Sequence, residues 1–393
     1  MRILHISTFD SGGAGVCCLR LHQALLDSGL ESKMVTLKKT KQVKGLYGYG
    51  YYRYAASRVI SIILRKFGLV ITESNKIFKL QKANNTYTIP ISAVDLTKCK
   101  WVEWADIIHL HWVNTFMDYP SFLREINKPI VWTLHDENLF YGIAHHRKSI
   151  LPNNLYEQKY KKIKYDAVRS AKDLTIVFLS QMMYDTFGNE KIIDGRRKVV
   201  INNSVNPDVY YAQSRDEMRK KYGVEEGKTV FAFVSLNIAD PNKGLDALSK
   251  ALRSIAPDAE ILAVGGNPSG HKWYNVREMG AMNDPHAVCE VLSCANYYAM
   301  PSYQEGFSQS LLEALACGLP AVVFPVSGSL ETINDRNGII CSDFSLDSLK
   351  SGIKALMKRP YDARGIRDNI IERFSPEVIA KKYIGLYQDI LNK

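Results

Sequence analysis

The stretch from Tyr297 to Pro320, Y-Y-A-M-P-S-Y-Q-E-G-F-S-Q-S-L-L-E-A-L-A-C-G-L-P, limits what this chain can fold into more than any other. Tyr297 to Met300 reads as a short apolar strand. It runs into Pro301-Ser302, a loop with Glu305-Gly306, and an apolar helix that stops at Gly318-Pro320. Strand, glycine loop and helix N-terminus together make an anion site, because the first N–H groups of a helix have no internal partner and carry the positive end of its dipole. Glu305 stands before that helix and Glu313 inside it. Carboxylates beside an anion site would repel phosphate, so they are expected to accept hydrogen bonds from hydroxyls. A ligand with phosphates and many hydroxyls, such as a sugar nucleotide, satisfies both demands. Leu311, Leu312, Leu315 and Ala316 also read as a core stripe with an ordinary C-cap at Gly318, which leaves Glu305 and Gly306 unexplained.

The chain has 393 residues, more than one ordinary core, and suggests two domains of about 200 residues each. Its 46% hydrophobic and 23% charged content is that of a soluble globular protein. Seven scattered cysteines without a C-x-x-C or a His/Cys cluster indicate neither a disulfide framework nor a zinc site, and a reduced, cytoplasmic setting is expected. The first residues enter a strand directly, with no signal-peptide pattern, and no window approaches a membrane span. The net charge of +11 is uneven: residues 1–204 hold 30 Lys+Arg against 17 Asp+Glu, and residues 205–393 hold 21 against 23. That asymmetry points to an anionic partner of the first half.

Residues 2–8 read as a buried strand, and F-D-S-G-G-A-G (Phe9 to Gly15) as a glycine turn into a helix. It is not G-x-G-x-x-G, so no dinucleotide fingerprint is present. Tyr47 to Phe67 is aromatic and basic; Arg58, Arg65 and Lys66 beside Val59, Ile62 and Ile63 suit either anionic lipid headgroups or a plain packed helix. Asp106 to Trp112 alternates histidine with apolar residues, placing His109 and His111 on one face. No third metal ligand is apparent nearby, so they read as polar groups at a strand end. Pro129 to His135 is a buried strand followed by Asp136, at the carboxyl end where ligands collect in doubly wound sheets. Residues 139–152, including Arg147, form a loop long enough to line an acceptor pocket. Lys159, Lys161, Lys162 and Lys164 on the next helix read as a solvated basic face. N-N-S-V-N-P (Asn202 to Pro207) reads as a linker. Repeated strand-helix alternation in both halves predicts an α/β protein with two parallel-sheet, Rossmann-like domains.

The pattern P-S-x-x-E-G-F-x-x-x-x-L-E-A-x-A-C-G-x-P at 301–320 resembles the donor-site signature of the family 4 retaining glycosyltransferases of the GT-B fold. The resemblance implies two doubly wound domains facing a cleft: residues 1–204 on the acceptor side, 205–375 on the donor side, and a last helix, Pro376 to Leu391, returning to the first domain. It implies that Gly12 and Gly13 face the donor, that His135, in a T-x-H pattern, lies near the reacting sugar, and that Asn203 and Val205 belong to the interdomain connector. Lys243 and Glu305 would join His135 as catalytic residues. Gly306, Phe307, Ser308, Gln309, Ser310 and Leu311 would meet the diphosphate, Glu305 the sugar hydroxyls and Glu313 the ribose diol. Asp136, His109, His111 and Arg147 are candidates for the acceptor side. One departure stands out: the family has an arginine shortly after the strand at 229–235, and here the sequence reads Leu236-Asn237, leaving Lys243 as the point charge.

The expectation is therefore transfer of a hexose-type sugar from a nucleotide-diphosphate donor to a hydroxyl of a glycan or lipid-linked glycan, with retention. No cofactor and, lacking an Asp-x-Asp motif in a strand-end loop, no metal is expected. Bacterial polysaccharide or lipopolysaccharide synthesis at the inner membrane face is the implied setting. The alternatives are a nucleotide-sugar epimerase or hydrolase, or a non-catalytic binding subunit, which the missing arginine would suit. Nucleic-acid binding lacks any motif.

Overall fold

The computed structural model describes residues 1–66, 73, 77, 87–151 and 153–392. The chain divides into two compact units, Met1–Asn202 together with Ile379–Lys393, and Asn203–Val378.

Among the described residues the first unit has seven parallel strands: β1 (Arg2–Ile6), β2 (Glu31–Thr36), β3 (Leu46–Gly48), β4 (Ile107–Leu110), β5 (Ile130–Leu134), β6 (Leu174–Phe178) and β7 (Arg197–Val200). Their order is β3-β2-β1-β4-β5-β6-β7. Both faces are covered, as an all-parallel sheet requires. Alternate residues divide between them. Leu4, Ile108 and Trp132 pack with Phe122 of the Tyr119–Glu125 helix and Val168 of the Leu155–Ser170 helix. Ile3, Ile107, Val131 and Val177 pack with Leu25 of the Gly12–Asp27 helix and with Ile379, Tyr383 and Tyr387 of the Pro376–Leu391 helix. Chain order reverses at β1, which pairs with β2 on one side and β4 on the other, so the switch point lies at the carboxyl ends of β1 and β4.

The register explains a column of polar residues. Moving two residues along each strand from Ile3, Ile107 and Val131 leads to His5, His109 and Thr133 on the same face, and a further two to His111 and His135. That face is apolar at its amino end and polar at its carboxyl end. Two elements escape the sequence reading: the edge strand β3, which lies within the aromatic stretch, and the Tyr119–Glu125 helix. The helix start had a legible signal, since Asp118 accepts from the Ser121 amide at 3.1 Å and a proline stands in the first turn.

The second unit holds six parallel strands, β8 (Val230–Asn237), β9 (Glu260–Gly266), β10 (Val276–Gly280), β11 (Tyr297–Met300), β12 (Ala321–Val323) and β13 (Gly338–Ile340), in the order β10-β9-β8-β11-β12-β13. Chain order reverses between β8 and β11. Among the described residues no helix is long and apolar enough to cross a membrane. The basic aromatic stretch forms a helix, Tyr51–Lys66, with Val59, Ile60 and Ile63 about half exposed. The side chains of Arg58, Ile62, Arg65 and Lys66 lie outside the described residues.

Candidate functional site

In the second unit the loops after β8 and β11 are interlocked. Asp240 caps the turn Pro241–Lys243, accepting from the Asn242 amide at 2.9 Å, and the Tyr303 amide donates to Asn242 O at 2.8 Å. Gly244 follows with φ +77°, and a Cβ there would lie 2.0 Å from Pro301 O, so only glycine allows the two loops to approach this closely. The approach brings Lys243 Nζ to 2.7 Å from Glu305 Oε1, with the Glu305 side chain only 13% exposed. Burial opposes the Lys243 charge, but the adjacent Glu305 carboxylate outweighs it and holds the ammonium above its usual range.

Beyond Gly306 begins the Gln309–Ala316 helix. Ser308 is its N-cap, accepting from the Leu311 amide at 3.3 Å, so that amide is already engaged. Ser327 donates to Gly306 O at 2.8 Å, the Asn203 side chain to Phe307 O at 3.3 Å, and the Tyr298 hydroxyl to Ser310 Oγ at 2.8 Å. These bonds fix the loop and the first turn from three sides. Leu311, Leu312, Leu315 and Ala316 are all buried, as the core stripe predicts, and Glu313 is buried one turn in. Phe307 is buried against Gly328 and Phe374. Leu236, at the position where the resembled family has arginine, is 85% exposed. Asn237 turns the chain there, accepting from the Ala239 amide at 3.0 Å.

In the first unit, the glycine turn after β1 leads into the Gly12–Asp27 helix. Gly12 has φ +68°, and nothing lies within 4 Å of a Cβ built on Gly12 or Gly13. Gly15 is the packing glycine, with a Cβ position 2.6 Å from Phe9 O. The carboxyl ends of β1, β4 and β5 carry linked imidazoles. His5 Nδ1 lies 3.1 Å from His111 Nε2, and His111 Nδ1 lies 3.0 Å from His135 Nε2. His109 is fully buried, with Nε2 at 2.8 Å from Thr133 Oγ1 and Nδ1 at 2.6 Å from Tyr387 OH; Thr133 also meets Tyr383 OH at 2.9 Å. Burial pushes all four imidazoles below their usual range, His135 to about 4. Sequence spacing gave His109 and His111 no third partner; the sheet supplies His5, and ligand atoms of His5, His109 and His111 lie within 4.8 Å of one another. All of those nitrogens except His5 Nε2 are hydrogen-bonded to other imidazoles or to hydroxyls, which makes the cluster a hydrogen-bonded network.

Asp136 is occupied by the fold. Its Oδ2 accepts from Trp112 Nε1 at 2.7 Å and meets His145 Nδ1 at 2.6 Å, while Oδ1 accepts from the Asn138 amide at 2.9 Å. Burial would raise this carboxyl, yet His145 and the amide outweigh it and hold it far below the carboxylate range. The loop that follows is braced from the Leu155–Ser170 helix. Glu157 accepts from the Gly142, Ile143 and Ala144 amides at 2.6, 3.1 and 3.0 Å. Lys164, read from sequence as part of a solvated face, is instead completely buried, donating to Asn138 O, Asn138 Oδ1 and Tyr141 O at 2.6, 2.8 and 3.0 Å. Burial lowers it to about 7. Three carbonyl oxygens pull one lysine inward, a demand that a run of alternating lysines does not reveal. Arg147 is exposed, its amide bonded to Glu137.

Residues 214–373 match the family described as "Glycosyl transferases group 1". The match lies wholly within the second unit. Among curated proteins, N-acetyl-alpha-D-glucosaminyl L-malate synthase of Bacillus anthracis is 25% identical over 207 residues, 49% of this chain and 53% of that one. The chain spans about half the length of the curated relatives it matches. Two solved structures cover nearly the whole chain at 17% identity. Sucrose-phosphate synthase of Thermosynechococcus elongatus aligns with a TM-score of 0.73 over 100% of this chain and 99% of that one. HepE of Anabaena, in complex with UDP and glucose, aligns with 0.65 over 99% of each. The glycosyl transferases group 1 match lies on the donor-signature half, and the two Rossmann-like sheets are those of the GT-B fold.

Proposed function

We propose that this chain is a retaining glycosyltransferase that moves a hexose-type sugar from a nucleotide-diphosphate donor to a hydroxyl of a glycan or lipid-linked glycan. The observation that carries this reading is the Lys243–Glu305 pair at 2.7 Å, standing directly before the capped Gln309–Ala316 helix. Departure of a nucleoside diphosphate develops negative charge, and preorganised donors lower that barrier most. Lys243 and the first-turn amides other than that of Leu311 are assigned as such donors, and Lys243 carries the charge that the arginine of the resembled family would share. Glu305, an acceptor for Lys243 through Oε1, is assigned to the sugar hydroxyls, and Glu313 to the ribose diol. Gly12 and Gly13 are assigned to the donor phosphates and His135 to oxygens of the substrate. The glycan or lipid-linked acceptor, the family 4 assignment and a place at the inner membrane face belong to the same proposal. The half-exposed Val59, Ile60 and Ile63 of the basic aromatic helix support an anionic lipid surface as partner.

The test is a panel of sugar nucleotides assayed for binding, hydrolysis and transfer, beginning with UDP-glucose. Wild type is expected to bind one of them and to transfer its sugar, with Glu305→Ala losing roughly 100-fold or more in kcat/KM. Failure of every sugar nucleotide to bind sinks the reading. Binding without turnover would support a non-catalytic subunit, and turnover without an acceptor a hydrolase or epimerase.

A further inference from the structure

The His5–His111–His135 series carries a property that the donor signature does not. Each imidazole pair at 3.0–3.1 Å is bridged by one proton, with one nitrogen donating and the other accepting. Burial keeps all three rings neutral, so each holds a single N–H. His111 then accepts at one nitrogen and donates at the other, and the series has only two arrangements: every ring protonated on Nδ1, or every ring protonated on Nε2. They differ at the two ends. His5 Nε2 is buried without a hydrogen-bond partner, and His135 Nδ1 is the ring nitrogen outside the series. The Nε2 arrangement would strand an N–H donor on His5 in the core. The Nδ1 arrangement leaves there only a bare lone pair, and buried orphan donors are the rarer of the two.

We infer that His5 and His111 are positioning residues that lock His135 in its Nδ1–H form, so that His135 presents a hydrogen-bond donor to an oxygen lone pair of the bound substrate. The inference rests on the assignment of His135 to the substrate site made above. In this form His135 orients a hydroxyl or phosphate oxygen and cannot take a proton at Nδ1. The direction is set from the closed end of the series: the lack of a partner for His5 Nε2 decides which proton His135 offers at the open end.

The experiment is long-range proton–nitrogen NMR of the full chain labelled with 15N-histidine at pH 7, with His111→Gln and His135→Gln spectra to assign the rings. Nδ1–H signatures for His5, His111 and His135 are expected. An Nε2–H signature at His111 or His135 overturns the inference, as does a stoichiometric metal ion found by elemental analysis, since a metallated nitrogen holds no proton. His5→Phe keeps a ring but removes the donor to His111, and should mix the two tautomers at His135. It should also lower sugar transfer several-fold. His5→Gln, whose amide can still donate to His111 Nε2, should restore both the tautomer and the rate. A tautomer at His135 indifferent to His5→Phe overturns the inference. Should the phenylalanine variant fail to fold, the wild-type spectrum alone decides. The spectra need no turnover, so absence of any glycosyltransfer would defeat the transferase reading separately.

Discussion

The carboxyl ends of the two sheets carry polar groups of opposite kinds. At the end of β8 and β11 a formal ion pair, Lys243–Glu305, stands beside a helix turn whose amides no helix can satisfy internally. At the end of β1, β4 and β5 the groups are neutral imidazoles and hydroxyls, bonded to one another and buried. The first arrangement suits a ligand that brings negative charge. The second spends almost all of its hydrogen-bonding capacity inside the protein and leaves a single ring, His135, half-buried at its outer end. One end carries formal charge, and the other carries neutral hydrogen-bonding groups.

The comparison can be broken most sharply at the glycines. Gly244→Ala places a Cβ against Pro301 O and should unfold or loosen the second unit, at a cost above about 2 kcal/mol in chemical denaturation, with loss of nucleotide-sugar binding. Gly12→Ala meets no atom and should cost only about 1 kcal/mol, from its positive φ. Equal losses for the two would show that the interlocked loops are not what holds Lys243 in place.

Next in size is Tyr387→Phe. It removes the hydroxyl 2.6 Å from His109 Nδ1 and should cost about 1–3 kcal/mol, the usual penalty of a buried polar atom left without its partner. An unchanged unfolding midpoint would mean that His109 needs no partner from that helix.

A pH series sharpens the electrostatic side of the contrast. Lys164 titrates at about 7 in the fold, against roughly 10.4 in an unfolded chain. The unfolded state therefore binds more protons between these values, and stability should rise with pH across that window, by up to about 1.4 kcal/mol per unit. His135, at about 4, works in the same sense: stability should fall as pH drops from about 6.5 toward 4. Lys164→Met should flatten the alkaline part of the profile and leave the acid part intact. A profile unaffected by the substitution would show that Lys164 is not titrating in the core.

Much of the second unit was legible because its signals are local. The strand, Glu305, the start of the helix, the stripe of Leu311, Leu312 and Leu315 and the stop at Gly318 all lie within 24 consecutive residues. Other parts depended on which strands become neighbours. Alternation put His109 and His111 on one face, but it could not add His5 or His135, because that requires β1, β4 and β5 to lie side by side. Nor could it show that Asp136 and the loop after it are held by Trp112, His145, Glu157 and Lys164, whose partners come from separate elements. Long-range register set these roles, and a linear pattern carries no register between strands.

The Pro376–Leu391 helix has a consequence for how this protein is made. Ile379, Tyr383, Tyr387 and Ile390 complete one face of a sheet whose first strand begins at Arg2. During synthesis β1 to β7 emerge long before these residues do. Until they arrive, His109 and Thr133 lack their tyrosine partners and a strip of Ile, Val and Leu stays wet. The first unit therefore waits, incomplete, while the second is being translated, and it should be most vulnerable to proteases and to chaperone capture in that interval.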